Sequence, residues 1–160
     1  MMLSELMDRY QHGDRDFVGL VLGEAQLSGL AFPQVNLKRS TLRGAYLTQT
    51  NLQQAQLDES DLRLANLRGS DLRVASLASA NLRNANLSNA SLVAADCRNA
   101  NLVGANVIGC DLWQADLCGA DLRGTRLKEA RLTSAYFDRH THFDDTFDPK
   151  SAGMQFVKAA

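Results

Sequence analysis

An all-β solenoid with short helical and aromatic caps is the fold that this 160-residue chain predicts. Three observations carry that reading. A large apolar residue falls on every fifth position from Phe17 to Phe137, twenty-five in succession; twenty are Leu, and the rest are Phe17, Phe32, Cys97, Val107 and Phe137. Two residues before most of these beats sits something small, such as Ala45, Ala55, Ala65, Ser70, Ala85 or Ala105. The third observation is that a period of five suits neither common element. Five steps of a helix overshoot a full turn by about 140°, which would smear the Leu residues around the cylinder. A flat strand alternates with period two, so successive beats would face opposite ways. A chain that turns a corner once per pentad keeps every beat pointing into one axis, and the small residue beside it leaves the neighbouring Leu room.

The pattern A-[N/D]-L-x-x, strongest at Ala65-Asn66-Leu67-Arg68-Gly69, Ala85-Asn86-Leu87-Ser88-Asn89 and Ala120-Asp121-Leu122-Arg123-Gly124, resembles the pentapeptide-repeat family. The resemblance covers about four-fifths of the chain. It implies a right-handed quadrilateral β-helix with four pentads per coil, and stacked coils would pair about 4.8 Å apart. Leucine-rich repeats do not fit, because their units run to about 20–29 residues with unequal Leu spacing.

Three regions are expected: an N-terminal capping helix over 1–14, the repeat over 15–139 and a C-terminal cap or tail over 140–160. Leu3, Leu6, Met7 and Tyr10 follow helical spacing, with Ser4 placed to start the helix and Gly13 to end it. Leu20, Leu30 and Val35 overfill slots that elsewhere hold Ala, and Pro33 removes a backbone donor. A distorted first coil merging into the cap is therefore expected. Past Phe137 the clock slips by one residue, so that His142 takes the beat and Phe143 and Phe147 follow it. Asp148-Pro149-Lys150-Ser151 reads as a helix start, with Asp as N-cap and Pro first in the helix. The open ends of such a rod are unpaired edges that need covering. The flanks Arg9 to Phe17 and Tyr136 to Pro149 resemble those of cyanobacterial pentapeptide-repeat proteins.

The net charge of −1 predicts neither a nucleic-acid nor a membrane partner. No run of eighteen apolar residues exists to span a bilayer. Met1 to Leu6 lacks the basic and apolar regions of a secretory signal, so a cytoplasmic location is expected. Three unevenly spaced Cys make no disulfide framework: Cys97 occupies a beat, Cys110 a small slot and Cys118 an outward position.

Catalysis needs a pocket of converging polar groups, and a Leu-filled tube offers none. No enzyme activity and no cofactor is expected. His140, His142, Asp144 and Asp145 make the only metal-like cluster, and a solvated loop ahead of the cap explains it as well; no metal site is assigned. Folding at twenty residues per coil places Arg43, Arg63, Arg83 and Arg123 in one column. Asp61, Asp71, Asp96 and Asp121 each precede an Arg by two residues, close enough to pair. This column is a candidate charge ladder, and also a candidate strip for an acidic partner. One coil carries apolar residues where others are polar: Val103, Ile108, Trp113 and Cys118 follow its four beats. Val93 lies one coil below Trp113, with Arg73 beneath it as a polar rim, and Val74 and Ala94 nearby. Contiguous apolar surface of this kind marks a contact with a partner, so Val93, Val103, Ile108, Trp113 and Arg73 are the candidate partner-binding residues, unless the C-terminal tail covers them.

The function these features favour is a non-catalytic protein–protein interaction scaffold, for an unknown protein partner or a second copy of the chain. A purely structural rod or a homodimer joined through Phe143, Phe147 and Phe156 is another reading. The resemblance implies a further one, since some pentapeptide-repeat proteins mimic duplex DNA and bind type II topoisomerases. Mimicry of that kind calls for an acidic surface. Between Arg15 and Arg139, fourteen basic residues face twelve acidic ones, which argues against it.

Overall fold

A computed structural model describes residues 3–158; the outermost residues of the two expected caps lie outside that range. Parallel bridges join each strand residue to the one twenty positions further along, from Asp16 with Asn36 to Asn101 with Asp121. Twenty residues make four pentads, so four ladders run the length of the rod. We number its sides in chain order: side one holds the beats Phe17, Leu37 and onward, side two Leu22 and Leu42, side three Leu27 and Leu47, and side four Phe32 and Leu52.

The repeat motif satisfies every backbone donor of a pentad. Around Leu82, the beat N–H donates to Asn101 O at 2.7 Å in the next coil, and Asn101 N–H donates back to Ala80 O at 2.9 Å. Ala85 N–H closes a β-turn onto Leu82 O at 3.0 Å, and Asn84 N–H reaches Val103 O at 3.0 Å. The remaining donor, Arg83 N–H, is taken by Asn81 Oδ1 at 3.3 Å. That last bond explains the Asn/Asp preference before the beat: a short side-chain carbonyl there caps the turn residue two positions on, an Asx-type bond. It recurs from Lys38 on Asn36 to Arg123 on Asp121. The third turn residue has positive φ in every pentad from Gly19 to Gly124, as type II turns require.

The interior is a stack of Leu, with Leu57 to Leu92 fully buried, and Ala fills the slots between. Where Ser or Thr takes the small slot, its hydroxyl donates to a backbone carbonyl: Thr50 to Leu27 at 2.9 Å and Ser70 to Leu67 at 2.7 Å. A buried hydroxyl left unpaired would be costly, so these substitutions remain compatible with the core.

Helix α1 (Leu3–Gln11) closes the first coil. It buries Leu6, sets Tyr10 edge-on to Phe32 at 5.1 Å, and directs the Tyr10 hydroxyl to Pro33 O at 2.8 Å, an acceptor with no coil below it. Ser4 lies inside this helix rather than ahead of it. Gly13 follows with φ +96°. Val35 is buried, while Leu20 and Leu30 are partly exposed and packed against the core.

The far end departs from the expected cap. Asp148-Pro149-Lys150-Ser151 makes turns and no helix: Asp148 Oδ1 accepts Lys150 N–H at 3.0 Å, and Met154 N–H returns to Pro149 O at 3.0 Å. The chain then runs as a strand. Strand β1 (Tyr136–Phe137) pairs in parallel with β2 (Gln155–Phe156), continuing the side-one ladder. Pairing covers the bare strand edge, since Gln155 N–H donates to Ala135 O and Val157 N–H to Phe137 O, each at 2.8 Å, which a helix start at Asp148 would not do. The one-residue slip is real, because Asp121 bridges His142 at a spacing of twenty-one. His142 therefore takes the outward strand position, and the half-buried Phe143 turns inward beside Phe137. A second irregularity has no precursor in the sequence pattern. Arg126 does not bridge Asn106; a 3-10 turn at Leu127–Glu129 replaces the strand, and Gly109 N–H bonds Glu129 O at 2.8 Å. Arg126 pairs with Glu129 at 2.5 Å, a three-residue spacing that a 3-10 turn eclipses.

Candidate interaction surface

The Arg column on side two is not a row of free guanidinium groups. Arg63 forks onto Asp61, with Nε 2.8 Å from Oδ1 and an Nη 2.6 Å from Oδ2. Arg123 grips Asp121 at 2.9 and 2.6 Å in the same way. Val103 interrupts the column between Arg83 and Arg123. Arg63 and Arg123 are thus each neutralised within their own pentad. The same forked pair recurs at Arg73 with Asp71 on side four and Arg98 with Asp96 on side one. In all four, the hydrogen bond from the Arg is the main reason that the carboxyl sits below its usual range. Arg43 and Arg83 are different. Both are exposed, and among the described residues neither makes an ion pair.

Side four carries a shallow open groove of about 640 Å³. Arg73, Val93 and Trp113 line it along one column, with Asp71, Asp111 and Arg131 beside them. Val93 and Trp113 are half-buried. The Arg131 guanidinium lies 5.7 Å from the Trp113 ring centroid and 3.0 Å from Asp111 Oδ2. Ile108 and Val103 are also half-buried but face sides three and two. The apolar coil therefore wraps the rod, and only Arg73, Val93 and Trp113 of the five predicted contact residues share a groove.

The C-terminal loop spends its acidic residues on the rod end. Asp138 Oδ1 accepts Gly119 N–H and His140 N–H, each at 2.9 Å, and Asp144 Oδ1 accepts Gly124 N–H at 2.9 Å. These donors belong to the last turns, where the slip leaves no carbonyl above them. Among the described residues no group of three or more His, Cys, Asp or Glu is placed to hold a metal. Burial raises the Cys97 thiol and pushes Cys110 up to about 12, and Cys118 also stands at about 12 through burial and the neighbouring Asp116. None of the three is a thiolate at neutral pH, so none is an activated nucleophile.

A family profile for pentapeptide repeats matches four overlapping stretches that together run over residues 21–139. The chain belongs to the pentapeptide-repeat family. Solved structures of similar proteins carry the same repeat. A trypsin-treated form of QnrB1, a plasmid-mediated fluoroquinolone resistance protein, aligns over 89% of this chain and 74% of its own at 18% identity and a TM-score of 0.51. The pentapeptide-repeat protein alr5209 from Nostoc PCC 7120 is 32% identical over 98% of this chain and 96% of its own, with a TM-score of 0.29. HetL from Nostoc sp. strain PCC 7120, involved in heterocyst differentiation regulation, is 24% identical over 96% and 92%, with a TM-score of 0.36. No curated protein matches the chain. Pentapeptide-repeat proteins are generally non-catalytic structural or interaction proteins, and the right-handed quadrilateral β-helix is the fold these relatives imply. Among the described residues no helix is long and apolar enough to cross a membrane.

Proposed function

We propose that this pentapeptide-repeat protein is a non-catalytic scaffold, a rigid right-handed quadrilateral β-helix that works in the cytoplasm by binding a protein partner along side four. The observation that carries this reading is the groove in which Val93 and Trp113 form an apolar strip between the Arg73–Asp71 and Arg131–Asp111 pairs. Trp is the residue most enriched at binding hot spots, and a polar rim around an apolar centre is the usual anatomy of a contact. Filling the interior does not account for it, since Leu92 and Leu112 already occupy the core at these levels. Mimicry of duplex DNA is disfavoured by the near-even balance of charge along the rod.

The test is a Trp113→Arg variant. Its circular dichroism should match the wild type, because the indole faces outward, while affinity for a partner identified by cross-linking falls by about 2 kcal/mol or more. Sedimentation of the purified protein separates a second copy from a different partner. Unchanged affinity in the variant would remove side four from the interaction.

A further inference from the structure

The corner between sides two and three holds an exposed Leu at a position that penalises it twice, a feature it shares with Val74 at the corner after side four. Leu64 is 53% exposed and stands third in its turn with φ +60°. A bulky side chain in the left-handed region is strained, and such outliers concentrate at functional sites. Exposing the same side chain to water forgoes its burial as well. Of the other residues in this corner column, Gly44, Gly104 and Gly124 are Gly, Asn84 is Asn and Glu24 is Glu, so Leu is neither required by the turn nor typical of it.

What surrounds Leu64 is cationic. Arg43 lies one coil below it and Arg83 one coil above, both exposed and without an ion pair among the described residues. Arg68, exposed on side three, also makes no ion pair among the described residues, and Tyr46 on the same side is 46% exposed. Depressions of about 540 Å³ beside Gly44 and about 560 Å³ beside Gly104 flank the Leu64 ridge along this edge. Asp61 is engaged by Arg63, and Glu24, which makes no ion pair among the described residues, sits at the lower rim. Charge over the whole rod is sorted the same way: basic residues outnumber acidic ones seven to four on sides two and three, and number seven to eight on the other two.

From this we infer that the corner running from Arg43 past Leu64 to Arg83 is a docking surface for an acidic amphipathic helix of a partner protein. Arg43 and Arg83 are two coils apart, about 9.6 Å at β spacing. Seven residues of helix rise about 10.5 Å, so carboxylates at i and i+7 meet the two guanidinium groups while an apolar residue at i+3 or i+4 covers Leu64. The inference concerns a different surface from the Trp113 groove, and it stands or falls separately.

The experiment uses a fluorescein-labelled synthetic helical peptide with Glu at i and i+7 and Leu at i+3 and i+4, titrated with the full chain and followed by polarisation. An Arg43→Glu, Arg83→Glu double variant should bind at least about tenfold more weakly, since reversed charges repel the acidic face. Leu64→Asn should lose about fivefold or more while folding at least as well as the wild type, because Asn accepts the left-handed corner. Raising the salt from low to about 0.5 M should weaken wild-type binding by screening. Lys38→Glu, on side one, should leave it within about twofold. Equal affinity of the wild type and the double variant overturns the inference. So does tighter binding of a labelled DNA duplex than of the peptide, which would make the corner a general polyanion surface.

Discussion

At a pentad corner, a single atom decides which residue is tolerated. A Cβ on Gly109, where φ is +67°, would lie 2.3 Å from Asn89 Oδ1, and one on Gly119 would lie 2.2 Å from Asn99 Oδ1. The Asn side chain of one coil lies in the space that Gly leaves in the next. Gly109→Ala must both hold the left-handed corner and displace Asn89, and is expected to cost about 1–2 kcal/mol in urea denaturation. Leu64→Asn is the opposite case, since it removes a strained, exposed apolar side chain from an equivalent corner; a gain of about 1 kcal/mol is expected in the same measurement. A loss on Leu64→Asn would mean that the side chain stabilises its neighbours despite the corner it occupies.

The elements that end the rod act through hydrogen bonds more than through area. Asp138 takes over for a carbonyl that the one-residue slip moves out of reach, accepting from Gly119 N–H, His140 N–H and the Thr141 hydroxyl. Asp138→Ala leaves the half-buried Gly119 N–H without its acceptor, at a cost of about 1 kcal/mol. Amide exchange at Gly119 should quicken while exchange at Leu82 is unchanged. Along the rod, the forked Arg pairs hold Asp61, Asp71, Asp96 and Asp121 below their unfolded value near 4. A carboxyl depressed in the folded state stabilises above its unfolded pKa and loses that contribution as pH falls through the lower folded value. The urea midpoint should therefore decline from about pH 4 downward. Replacing all four Asp with Asn should flatten that decline, with each pair adding no more than about 1 kcal/mol because it is partly exposed. A decline of the same size in the fourfold variant would assign the acid sensitivity to other carboxylates.

For the whole molecule, nearly all cohesion comes from contacts between one coil and the next, as in any solenoid. The Leu82 side chain is fully buried in the middle of that stack. Leu82→Asp places an unpaired carboxylate there and is expected to unfold the rod; loss of the far-UV β signal checks it, and a folded variant would contradict the stacked-Leu interior. Charge is also a property of the whole molecule. The basic excess lies on sides two and three, with none on the other pair, so no side presents the continuous acid stripe that resembles a duplex backbone. Purified gyrase should accordingly keep its supercoiling activity in the presence of this protein. Clear inhibition would show that the arrangement of the acidic residues matters more than their balance with the basic ones.

The five-residue clock was enough to specify the interior, because each beat and each small slot is read one pentad at a time and repeats without reference to distant residues. Helical spacing, equally local, placed α1, and a separation of two residues paired Asp61 with Arg63. The coil of twenty came from resemblance alone until the bridges supplied it. Other features depended on what lies a coil away. Whether Asp148 begins a helix or a turn is decided by the bare β1 edge that β2 must cover. Arg131, eighteen residues on, lies over the Trp113 ring. The candidate contact residues Val103 and Ile108 looked equivalent to Trp113 in a linear pattern, yet the corners send them to separate sides. Arg43 and Arg83 differ from Arg63 and Arg123 within the sequence itself, because Thr41 and Asn81 stand where Asp61 and Asp121 supply a carboxylate two residues before the Arg. A repeat encodes its core locally, whereas its surface is made of neighbours brought together only by winding.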